Sequence, residues 1–163
     1  MPDLIDIRPA QPTDCPMLHA MIVELAHYER LAAEVQARPE DLCRHLFAQP
    51  PRAQALIALA EAEPVGFAIF FHNYSTFTGR PGLYLEDLYV RPTHRRQGIG
   101  QRLLTRLAEI AIERDCARME WSVLTWNTPA IEFYRRLGAC ALEDWRTFRL
   151  TERDIHTLGG RRG

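Results

Sequence analysis

The chain has 163 residues, 47% hydrophobic and 25% charged, and 20 basic against 21 acidic side chains leave a formal net charge of −1. That is the make-up of one soluble globular domain with no electrostatic footprint for nucleic acid. The opening MPDLIDIRP has acids and no apolar core, and no apolar run approaches the roughly 18 residues a spanning helix needs. A cytoplasmic protein with no membrane partner is expected.

LIDIR (4–8) alternates as a short strand, Pro9 and Pro12 break it, and Thr13 is placed to cap a helix. Leu18, Met21, Ile22, Leu25 and Tyr28 recur at helical spacing to about Leu31. RPEDLCRHLFA (38–48) opens with proline and two acids, the start of a second helix. AQALIALAEA and PVGFAIFFHNY form a predicted hairpin about a turn at Glu63–Pro64, STFTGRPG (75–82) a loop, and LYLEDLYV (83–90) a third strand. Regular alternation there puts Glu86 on the face of Tyr84, Leu88 and Val90, with Asp87 opposite as a structural neighbour.

Next comes RPTHRRQGIGQRLLTRLAEIA (91–111), whose Ile99, Leu103, Leu104, Leu107, Ile110 and Ala111 line one helical face. ARMEWSVL (117–124) is a further strand. Asn127-Thr128-Pro129 starts a short helix closed by Gly138, and WRTFRL (145–150) alternates as a last strand. The end of the chain, 159–163, has no packing signal and reads as a mobile tail. The whole, 1–163, is a single α/β domain.

Arg95-Arg96-Gln97-Gly98-Ile99-Gly100 lies between a strand and a helix, where glycines let backbone N–H groups approach an anion near the positive end of the helix dipole. A phosphate is the natural ligand. A P-loop is excluded because the chain has no lysine, and Leu103 occupies the third glycine position of a dinucleotide fingerprint. Cys15, Cys43, Cys116 and Cys140 and the six histidines match no metal spacing, so no metal is expected. No cysteine adjoins a histidine or a predicted helix start that would lower its pKa, which argues against an activated cysteine nucleophile.

Arg/Gln-x-x-Gly-x-Gly/Ala opening a helix after an antiparallel meander resembles the coenzyme A loop of the GCN5-related N-acetyltransferases. IRPAQPTDCPMLHAMI resembles that family's first strand and helix, LYLEDLYVRPTHRRQGIGQRLL its central strand, loop and helix, and LTWNTPAIEFYRRLGA its closing strand and helix. Within the family ELAHYERL, NYSTFTGRPGLYLEDLYV and WRTFRL are most like the diamine (spermidine/spermine) and thialysine N-acetyltransferases. The resemblance implies a mixed, mostly antiparallel sheet flanked by helices, acetyl-CoA as co-substrate, a homodimer, and direct acetyl transfer to a small amine in a ternary complex. Alternatives are a non-catalytic acyl-CoA-binding module and a protein-lysine acetyltransferase.

The chemistry needs a base near an amine of ordinary pKa near 10.4 and an acid near the departing thiolate. The resemblance assigns the acid to Tyr134; Glu86, which interrupts the apolar face of Tyr84, Leu88 and Val90 where burial without a partner is costly, is the candidate base, acting through a water and also attracting a cationic acceptor. The resemblance gives Leu88, Tyr89 and Val90 the pantetheine arm and thioester carbonyl. Arg95, Arg96, Gln97, Gly98, Ile99, Gly100 and Gln101 hold the pyrophosphate, Asn127 and Ala130 line the cofactor's far side, and Tyr28 and Glu29 mark the acceptor end. Two departures bear on the acceptor: His27 stands where a lysine often precedes Tyr-Glu, and Glu120-Trp121 replaces a more neutral segment.

Overall fold

A computed structural model describes residues 4–160. Its residues group into two compact units, Met1–Leu124 and Thr125–Gly163. The first contains a five-stranded sheet in the order β1 (Ile5–Pro9), β2 (Gln54–Ala60), β3 (Glu63–Ser75), β4 (Arg80–Val90), β5 (Met119–Trp121). The first three pairings are antiparallel and β4–β5 is parallel, the mixed, mostly antiparallel sheet that was expected.

Helices α1 (Cys15–Tyr28) and α2 (Pro39–Leu46) follow β1, and α3 (Ile99–Glu113) follows β4. Leu18, Met21 and Leu25 of α1 and Leu46 of α2 form one core with Ala55, Ile57, Phe67, Ile69 and Tyr89 of the sheet. The six apolar residues predicted for the inner face of α3 are all buried. Arg8 donates to both oxygens of Asp14 at 2.7 and 3.0 Å, tying β1 to the start of α1. This pair holds the Asp14 carboxyl below the usual carboxylate range.

The β2–β3 hairpin pairs Ala60 with Glu63, so its turn is Glu61–Ala62 rather than Glu63–Pro64. Both turn residues have positive φ (48° and 72°), as a type I′ hairpin requires; the proline drew the predicted turn two residues too late. β4 also starts three residues before the predicted strand, at Arg80.

The second unit holds α4 (Thr128–Arg136) and α5 (Glu152–Gly160). The predicted last strand at 145–150 is absent: these residues have no regular structure, and Trp145, Phe148 and Leu150 are exposed. Alternation makes a segment competent for a strand, but a strand needs a ladder partner, and no described residue pairs with it. Gly159 and Gly160, expected in the tail, end α5, and 161–163 lie outside the described residues.

Candidate active site

The parallel β4–β5 ladder ends where Leu85 meets Trp121, but β4 runs on to Val90. Among the described residues no strand pairs with 86–90 on that side. The same five residues contain a β-bulge, because the β3–β4 register steps from Ile69–Asp87 to Phe70–Leu85 and passes over Glu86. The unmatched Glu86 is exposed.

The bulge overturns the expected facing of this strand. Tyr89 joins Phe67 and Ile69 in the core beneath α1 and α2, whereas Leu85 is buried outside that cluster. Asp87, opposite Ile69 and two residues before Tyr89, therefore turns toward α1. Regular alternation cannot anticipate one extra residue, and it set Tyr84 on the face of Leu88 and Val90, from which the bulge separates it. The visible signal was two successive acids inside an otherwise apolar strand.

Burial pushes the Asp87 carboxyl up to about 6, and the charges of Glu86 and then Glu29 add to the effect. Glu29, the C-cap residue just after α1, is itself raised by burial. No salt bridge among the described residues involves Glu29, Glu86 or Asp87. Nor do acids, cysteines and histidines form a metal-holding group among the described residues. Asp87 feels the negative charge of both Glu86 and Glu29, and such a setting favours any positive group that enters it. Glu120, by contrast, is paired with Arg118 at 2.9 Å.

The loop that follows is anchored at its root. Arg91 places its guanidinium on both oxygens of Glu24 in α1 (3.1 and 3.2 Å) and on the carbonyl of Pro64 (2.9 Å). After a short 3-10 turn at Pro92–His94, Arg96 and Gly98 take positive φ (62° and 75°), and Gly98 caps α3. Such reversals turn successive N–H groups inward as a concave nest, and the leading N–H groups of α3 have no intrahelical acceptor. Arg96, Gln97, Gly98 and Gln101 are exposed, Gly100 is half-buried, and Ile99 is buried as the first core residue of the helix. Nothing lies within 4 Å of a methyl built on Gly98, so its glycine serves the φ angle rather than space. At Gly66 the reverse holds: a methyl there would meet the carbonyl oxygen of Tyr89 at 2.7 Å. Sequence reading missed Gly66, which lies under the strand segment expected to hold the pantetheine arm.

Arg95 behaves differently from the rest of the loop. Its Nε donates to the carbonyl of Val90 (2.9 Å), and its guanidinium lies 4.9 Å from the ring centre of Tyr28 and 5.7 Å from that of Tyr89.

Tyr134, Asn127 and Ala130 belong to the second unit. Asn127 is the buried N-cap residue of α4, with its carbonyl accepting from Ile131, and Ala130 follows in the first turn. Tyr134 is half-buried, its ring centre 5.5 Å from that of Phe133. Cys15 does open a helix, contrary to expectation, yet burial and its neighbour Cys43 push its thiol up to about 12. Burial raises Cys116 as well. Neither is an activated nucleophile.

The acetyltransferase (GNAT) family model matches residues 19–139, most of the chain. The chain belongs to the GNAT acetyltransferase family. Like other members, this GNAT chain is an N-acetyltransferase. It is 38% identical to the thialysine N-epsilon-acetyltransferase of Sus scrofa, over 95% of this chain and 97% of that one. It is 31% identical to the L-ornithine N5-acetyltransferase of Arabidopsis thaliana, over 89% and 83% of the two chains. The fold is shared with an integron cassette protein from the V. cholerae mobile metagenome, at TM-score 0.80 and 24% identity over 96% and 98% of the chains. GNAT acetyltransferases use acetyl-CoA, and the loop fits it: a nest of N–H groups with the exposed guanidinium of Arg96 suits a pyrophosphate.

Proposed function

We propose that this enzyme transfers the acetyl group of acetyl-CoA directly to a primary amine of a small cationic acceptor, in a ternary complex. The observation that carries the acceptor class is the trio Glu29, Glu86 and Asp87, three carboxylates in no salt bridge among the described residues, at the end of β4 and of α1. Relatives named for thialysine and for L-ornithine, both bearing a side-chain amine, support the same class.

Acetyl-CoA supplies an activated thioester carbonyl. The loop 96–101 holds its pyrophosphate, and the backbone of Leu88, Tyr89 and Val90 holds its pantetheine arm along the side of β4 that no described strand occupies. Asn127 and Ala130 line its far side. Asp87 and Glu29 attract the ammonium group, and Tyr28 contacts the acceptor beyond it. Glu86, at the bulge and open to water, accepts the amine's proton through a water molecule. The N–C bond then forms as the C–S bond breaks, Tyr134 donates its phenolic proton to the sulfur, and the second proton shed by the nitrogen as the amide forms returns Tyr134 to its phenol. From a phenol near 10 to a thiol near 8.5 that donation is uphill by about 2 kcal/mol, small enough if it accompanies bond cleavage.

The test is an acetyl-CoA-dependent assay on thialysine, ornithine, spermidine, lysine and a lysine peptide. Free amines carrying one or more extra charges should be acetylated, with KM rising as salt screens the carboxylates. Acetylation of the peptide alone would assign the chain to protein lysines instead. Acetyl-CoA binding without transfer to any amine would make it a binding module.

A further inference from the structure

We infer that Arg95 is a positioning residue that couples the cofactor loop to the acceptor side of the enzyme, through stacking of its guanidinium on Tyr28. The inference rests on the acetyltransferase reading but goes beyond it, because it gives one arginine of the loop a task other than touching phosphate.

The geometry differs from that of a phosphate-seeking side chain. Nε of Arg95 is committed to the Val90 carbonyl at 2.9 Å, which closes the loop's root back onto the last residue of β4. The guanidinium then lies over Tyr28 at 4.9 Å and near Tyr89 at 5.7 Å, both within the reach of a cation–π contact. Tyr89 is a buried core residue and cannot move without disturbing the sheet. Tyr28 is 38% exposed and is the last residue of α1, directly before Glu29. Arg95 is thus a side chain through which the end of α1 meets the cofactor loop.

Arg91, four residues earlier, ties the same loop to the middle of α1 through Glu24. The loop is therefore held to α1 by an ionic contact at Arg91, which also reaches Met17 Sδ at 3.3 Å, and by an aromatic one at Arg95. Only the aromatic one involves a residue assigned to the acceptor. An acceptor that orders Tyr28 orders the face on which Arg95 stacks, and with it the start of the nest at Arg96. By reciprocity acetyl-CoA, in ordering the nest, favours the same placement of Tyr28.

The experiment is a double-mutant cycle on Tyr28 and Arg95, read by calorimetric titration of acetyl-CoA in the absence of any acceptor. Tyr28→Phe keeps the ring face and should leave affinity within about two-fold. Tyr28→Leu removes it and should weaken acetyl-CoA binding by roughly two- to thirty-fold, the range of a cation–π contact. In an Arg95→Gln background the same Tyr28→Leu change should do nothing further. Amide hydrogen exchange of residues 91–98 in the free protein supplies an arm that needs no ligand. Tyr28→Leu and Arg95→Gln should each speed exchange there, and the double variant no more than Arg95→Gln alone. Unchanged exchange and affinity in Tyr28→Leu, or effects that multiply independently, would overturn the coupling. A wild-type protein that binds no acetyl-CoA would overturn the acetyltransferase reading instead, while the exchange measurement still decides the role of Arg95.

Discussion

Asp87 allows a stability prediction with a sign opposite to that of most carboxylates. Its ordinary pKa is about 3.9, and burial beside Glu86 and Glu29 pushes it up to about 6 in the folded chain. The folded state thus binds this proton more tightly than the unfolded state does. Wild-type stability from this group is greatest below about pH 4 and is lost as pH rises toward 6. The full shift of about two units would correspond to nearly 3 kcal/mol. Asp87 keeps part of its surface in water and shares its field with two other acids, so about half of that, roughly 1.5 kcal/mol, is the realistic penalty. Asp87→Asn keeps the shape and removes the charge. Its melting temperature should exceed the wild type's by roughly 3–6 °C at pH 8, and the two should converge at pH 4. Thermal melts across that range, followed by circular dichroism, provide the assay. Equal melting temperatures at every pH, or a variant less stable at pH 8, would refute the argument that Asp87 is an unneutralised carboxylate.

Other substitutions separate the remaining roles. Gly98→Ala must adopt a φ of 75° and should cost about 1 kcal/mol; Gly98→Asp should also weaken acetyl-CoA binding at least ten-fold by placing a carboxylate in the nest, as calorimetry would show. Gly66→Ala puts a methyl 2.7 Å from the Tyr89 carbonyl and should raise KM for acetyl-CoA several-fold by displacing the end of β4, while the acceptor's KM changes less. Tyr134→Phe should keep acetyl-CoA affinity within a few fold and lower kcat by roughly 10²-fold; a kcat unaltered at every pH would make Tyr134 a packing residue.

Where one local rule governs, the sequence could be read directly. The face of α3 follows from helical periodicity alone, since each of its six predicted inner residues is buried. The glycine loop followed from glycine spacing between a strand and a helix, and Gly98 does stand at positive φ. Reading failed where an outcome depends on something outside the segment. The bulge at Glu86 is a property of the β3–β4 pair, and without it Tyr84 is assigned to the face of Leu88 and Val90. Residues 145–150 alternate as well as any true strand here, but no described strand takes them as a partner. The stacking of Arg95 on Tyr28 joins residues far apart in the chain, and no spacing rule could have paired them.

The central claim is that Glu86 accepts the proton of the amine while its neighbours draw the amine in. It is tested most directly by pH–rate profiles of wild type, Glu86→Gln and Glu29→Gln at two ionic strengths, with an acceptor the wild type acetylates. Glu86→Gln should lower kcat and shift activity toward higher pH, where free amine is more abundant. Glu29→Gln should raise only the acceptor's KM, by an amount that shrinks as salt increases. If Glu86→Gln raises KM alone and leaves kcat and its pH profile unchanged, Glu86 is an electrostatic anchor and the base lies elsewhere.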